Sequence, residues 1–136
     1  MSDVQIQSSS QMPFETRRRD WIARVEALVN QIAEWSLREK WTVERHEKSI
    51  TERLLGTYEV TEVIVRPDGG ELLVNPVGLH VSGGNGRVDL EGIPTLSRIN
   101  LIGVADGWQI WTDSNVPLRV DWNRDTFVQL VRDLLN

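Results

Sequence analysis

A chain of 136 residues, 40% hydrophobic and 26% charged, is long enough to bury a core without cross-links and too apolar for global disorder. It has no cysteine, which excludes disulfides, thiolate metal sites and cysteine nucleophiles together and suits a reducing, cytoplasmic setting. A net charge of −5 opposes binding to a phosphate backbone, and no window approaches the ~18 apolar residues of a membrane span, so neither nucleic acid nor membrane is expected as partner.

The N-terminal "MSDVQIQSSSQM" lacks the basic-then-apolar pattern of a signal peptide and reads as a flexible polar tail over residues 1–12, ahead of one α+β domain over 13–136. Residues 14–39 predict a long helix. Trp21, Val25, Leu28, Ile32 and Trp35 recur at spacings of four and three, and Ile22 and Val29 widen the stripe. Pro13 suits the first turn and Ser10 a cap. Arg17, Arg18 and Arg19 offer a place for an anionic group, although a solvated face is the plainer reading. Arginines also sit badly at the positive end of a helix dipole, so either the helix starts well before Arg17 or these side chains have partners.

From Trp41 onward the period changes to two. "WTVERHEK" and "TYEVTEVIVR" read as strands, and "PDGG" at 67–70 as the turn that follows. "ELLVN" and "GLHV" come next, with Pro76 between them marking an edge or a bulge. "RVDLE", "SRINLIGV", "WQIWTD" and "LRVDW" complete the run, and "NRDTFVQLVRDLLN" reads as a C-terminal helix capped by Asn123. The connections are too short for parallel crossovers, so the sheet is an antiparallel meander of about six to eight strands. The expected architecture is a curved sheet, open or partly closed into a barrel, with the C-terminal helix packed on it. Its order of elements resembles the layout of pleckstrin-homology-like barrels.

The stretch "SGGNGRVDLEG" at 82–92 looks most like chemistry. A Walker-type phosphate loop needs Lys and Ser or Thr after its last glycine and then a helix, whereas Gly86 leads into Arg87-Val88-Asp89 and a strand. The dinucleotide fingerprint fails on the same context, and a calcium loop fails for want of alternating ligands. Asn85-Gly86 between alternating apolar residues predicts a hairpin corner. A two-residue corner sets Ser82 opposite Asp89 and His80 opposite Glu91; a four-residue loop sets His80 opposite Asp89 and Ser82 opposite Arg87. Both registers put His80, Ser82, Arg87, Asp89 and Glu91 on one face. Such a face offers a carboxylate-oriented general base with a hydroxyl, or three ligands for a divalent metal. An exposed hairpin supplies no oxyanion hole, so the expectation is a wet face with no metal and no cofactor.

Six tryptophans carry the remaining signal. Trp21, Trp35, Trp108 and Trp122 read as core. Trp111 alternates with Gln109 and Asp113, which places it on the polar side of its strand as a candidate binding residue beside them. Two functions follow. The first is a non-enzymatic protein-interaction or accessory module of the adaptor, chaperone-like or toxin-neutralising kind, with a homodimer through Trp111 or the Ile22/Val29 row of the helix. The alternative is a small-ligand binder or small enzyme using His80, Ser82, Asp89 and Glu91, and a deep apolar-walled pocket around His80 would favour it.

Overall fold

The computed structural model describes residues 2–80 and 85–136, with side chains from residue 14 onward. Helix α1 (Ser2–Arg38) is followed by strands β1 (Thr42–Glu52), β2 (Gly56–Arg66), β3 (Glu71–Gly78), β4 (Arg87–Ile93), β5 (Arg98–Val104), β6 (Gly107–Thr112) and β7 (Pro117–Leu118), and by helix α2 (Arg124–Leu135). The class is α+β, as the change of period predicts.

Helix α1 starts earlier than expected. Its backbone is helical from Ser2, through the stretch read as a tail, so Pro13 lies inside it and Ser10 is not its cap. The residues before Pro13 are mostly Ser and Gln, which a helix tolerates, and Pro13 itself costs the helix one donor. The early start also removes the electrostatic objection to the arginines, because Arg17 stands about four turns from the dipole end. The helix closes at Lys40, in the left-handed region at φ 65°, where the Trp41 amide returns to the Ser36 carbonyl at 3.0 Å.

All strands pair antiparallel with their sequence neighbours, in the order β1-β2-β3-β4-β5-β6-β7. The sheet does not close, so of the two expected alternatives the open sheet holds, and the likeness to pleckstrin-homology-like barrels is one of element order alone. Closure would pair an eleven-residue β1 with a two-residue β7, which offers too few backbone groups. Strand "LRVDW" is accordingly cut short. Pro117 has no amide to donate, and beyond Leu118 the chain leaves the sheet toward the extended Asn123, whose side chain caps α2 by accepting from the Thr126 amide at 2.9 Å.

Both helices cover the same face of the sheet. Trp21, Val25, Leu28, Val29 and Ile32 from α1 join Phe127, Leu130, Val131 and Leu134 from α2, over Val63, Leu72, Val74, Leu90, Leu101 and Ile110. Val29 is fully buried and Ile22 half-buried, so the helix row expected to carry a homodimer already belongs to the core. The four tryptophans read as core divide. Trp21 is buried, whereas Trp35, Trp108 and Trp122 are half-buried at its margin, with Trp122 5.4 Å from Trp35 and 5.8 Å from Phe127 between ring centres.

Candidate functional site

The β3–β4 connection adopts neither predicted register. Asn75 stands opposite Asp89, Leu73 opposite Glu91, and Gly78 opposite Arg87, with a bulge between Pro76 and Gly78. Proline cannot donate to the ladder, and the extra residue at Val77 shifts the pairing beyond it by one, while the larger offset from the predicted registers is already present at Asn75. Asn85-Gly86 is therefore not a two-residue corner: the closing bond runs from the Gly86 amide to the Leu79 carbonyl at 3.0 Å and encloses residues 80–85. Ser82 lies outside the described residues. Gly86 does take the predicted positive φ, at 91°, and a Cβ there would meet the Trp21 ring at 2.3 Å.

His80 is consequently separated from Asp89 and Glu91, and its neighbour is Glu52. That carboxylate accepts from the Leu79 amide at 3.0 Å, the His80 amide at 2.7 Å and the Tyr58 hydroxyl, and lies 3.9 Å from His80 Nδ1. Tyr58 in turn accepts from Trp21 Nε1 at 3.0 Å, so one chain of polar groups ties α1, the β1–β2 hairpin and the end of β3 together. Burial pushes the Glu52 pKa up, but hydrogen bonds from Tyr58, Leu79 and His80 outweigh it and hold the group below the ordinary carboxylate range. Burial, with the Glu52 charge beside it, raises the Tyr58 pKa. Glu52 and Tyr58 carried no sequence signal, because both contacts depend on a fold that brings together residues 37 and 27 apart.

On the uncovered face, Asn75, Asp89, Asn100 and Trp111 are successive partners across β3 to β6. The Asp89 side chain is 5% exposed and is clamped by Arg87 through bonds of 2.7 and 2.9 Å, with Arg98 3.9 Å away. Arg98 also bridges to Asp113 at 2.8 Å. Trp111 is half-buried and donates from Nε1 to Gln109 Oε1 at 2.9 Å. The three consecutive arginines of α1 do not converge: Arg18 donates to the Leu55 carbonyl at 3.0 Å, while Arg17 and Arg19 are exposed. Among the described residues no three His, Asp or Glu groups are placed to hold a metal ion, and no cavity is lined by His80, Asp89 or Glu91.

The largest concavity lies elsewhere. A groove between α1, the β5–β6 turn and the β7–α2 connection comprises two adjoining cavities of about 500 and 430 Å³ that share Val104, Trp108, Asp121 and Trp122. Arg24 braces one wall. It donates to the Val104 and Gly107 carbonyls and places its guanidinium 4.8 Å from the Trp108 ring centre, and burial lowers its pKa. Trp122 is fixed by its bond to Gln31 at 2.9 Å. Val104 and Val120 extend the apolar surface at 38% and 53% exposure, and Asp106 and Asp121 stand exposed on the rim. Sequence reading missed this site because Trp108 has the parity of a core residue; only its place near the end of β6, beyond the reach of β7, leaves it half-covered. No helix among the described residues is long and apolar enough to cross a membrane. Comparison with known family models, curated proteins and solved structures finds no match to this chain.

Proposed function

We propose that the chain is a non-enzymatic protein-interaction module, set in the cytoplasm, that docks an apolar, basic segment of a partner protein in the Trp108–Trp122 groove. The observation that carries the reading is the pair of half-exposed, braced indoles in the largest concavity, flanked by exposed valines. Tryptophans held in one orientation supply contact area at little cost in conformational entropy, which is why they dominate binding hot spots. Charge favours a basic segment: Arg24 is engaged by two carbonyls and an indole, and Asp106 and Asp121 outnumber the other cation of the lining, Arg119, on a chain of net charge −5. Catalysis by the hairpin face is disfavoured, because Asp89 is neutralised by Arg87 and the Glu52 oxygens are occupied by backbone amides.

The six indole N–H resonances provide the test. A soluble peptide alternating lysine and valine is expected to move the Trp108 and Trp122 signals saturably, and its glutamate–valine counterpart to leave them in place. The pair Asp106→Asn and Asp121→Asn, both at exposed positions, should weaken the effect and flatten its salt dependence. Signals that stay in place with both peptides, or that move equally with both, would refute the reading. A dimer mass in light scattering, lost on Trp122→Phe, would make a second copy of the chain the occupant instead.

A further inference from the structure

We propose that the uncovered face of the sheet carries a second site, which takes a small, neutral, planar heterocycle of the nucleobase type. A cavity of about 350 Å³, within the usual range of about 300–1,000 Å³ for ligand pockets, is lined by Asn100, Ile102, Trp111 and Asn115. Trp111 gives it a flat wall whose orientation is held through Gln109. Asn115, at φ 63° in the turn after β6, brings a carboxamide to an exposed position beside it. Asn100 is the distinctive member. It is 5% exposed, on the side of β5 away from the core, and its Oδ1 is enclosed without a hydrogen-bond partner among the described residues. Buried amide oxygens are seldom left unpaired, and a carboxamide in a cavity lining offers that oxygen to a ligand's donor once it turns over about its last torsion.

The lining also selects the chemistry. The nearby charges neutralise each other, Arg87 with Asp89 and Arg98 with Asp113, so an ionic ligand gains nothing from them. Two carboxamides and one indole fit a ring with a flat face to stack and a donor–acceptor edge to pair, the geometry by which an Asn side chain recognises adenine. A pyranose, with hydroxyls around its whole rim, would bury several of them unpartnered between Trp111 and Ile102.

Adenine and methyl glucopyranoside are the probes, read by the Trp111 indole resonance of the full chain. Low-millimolar adenine is expected to shift that signal saturably while the glycoside does not, and Asn100→Leu should weaken adenine binding at least tenfold. Should Asn100→Leu fail to fold, the exposed Asn115→Gly, which suits the left-handed φ of 63°, is expected to weaken binding several-fold while the domain stays folded. The proposal is overturned by an unresponsive Trp111 signal, by a response to the glycoside in place of adenine, or by unchanged adenine affinity in a folded Asn100→Leu or Asn115→Gly variant.

Discussion

Gly86 and Glu52 have the largest consequences among single residues, and the sequence pointed to only one of them. Gly86 combines a left-handed φ of 91° with a Trp21 ring 2.3 Å from where a Cβ would lie, whereas Gly69, at φ 92°, has open space around it. Alanine at Gly69 therefore meets backbone strain alone, about 1 kcal/mol. Alanine at Gly86 must in addition displace a buried indole, and overpacking of that kind costs about 1–3 kcal/mol more. Denaturant melts of the two variants should differ by that amount; equal midpoints would mean that the Trp21 contact does not require glycine. For Glu52 the consequence is pH dependence. Its folded pKa is depressed below the ordinary carboxylate range, so its stabilisation is full above that range and fades as pH falls through the lower folded value. Glu52→Gln, which loses the charge and keeps only one acceptor oxygen for two amides and a hydroxyl, should cost about 1–3 kcal/mol at neutral pH, and the difference from wild type should shrink below about pH 4. A difference that stays constant from pH 7 to about pH 3 would show that the charge is not what binds these donors. Gly86 was legible because a turn is local. Glu52 was not, because nothing near it in sequence distinguishes a carboxylate on a strand end from one in water.

Elements were readable where local chemistry and tertiary demand agree. Asp68-Gly69, the Asn123 cap and the apolar stripe of α2 each sit where the pattern placed them, since turn and cap bonds form within a few residues of chain. The failures fall where an element answers to distant partners. Burial along β2 changes parity, from Tyr58 and Val60 to Val63 and Val65, because its first half packs under α1 as a two-stranded arm with β1 and its second half lies in the full sheet. The Pro76 signal predicted a bulge or an edge, and the bulge is there, but the pairing before it already sets Asp89 opposite Asn75 and Glu91 opposite Leu73, away from His80. His80 therefore lies in the long connection closed by Gly86 and Leu79, beside Glu52, and the hairpin-face site dissolves. The site of largest concavity comes from a truncation, the stop of β7 at Leu118, which leaves Trp108 half-open although its parity says core.

At the scale of the molecule, one sheet with both helices on one face has two consequences, an uncovered face and two unpaired edges. The short β7 presents almost no edge, but β1 is paired along all eleven residues on one side and exposes its outer side. A long open edge templates sheet extension unless its sequence resists, and charged side chains are the usual resistance. Strand β1 carries four charged side chains within five residues, Glu44, Arg45, Glu47 and Lys48. Lys48 has an internal task, holding Asn75 and the Pro76 carbonyl, whereas Arg45 and Glu47 are exposed and make few structural contacts, Arg45 a single 2.9 Å bond to Asn30. Charges at such positions hinder other chains from adding a strand. Replacing both, Arg45→Thr with Glu47→Thr, leaves a β-prone edge segment with little net charge. It should change the melting temperature little, because exposed charges contribute less than about 1 kcal/mol each, yet raise the scattering mass steeply with concentration. If the double variant keeps the wild-type mass at every concentration, the charges on β1 are not what guards the edge.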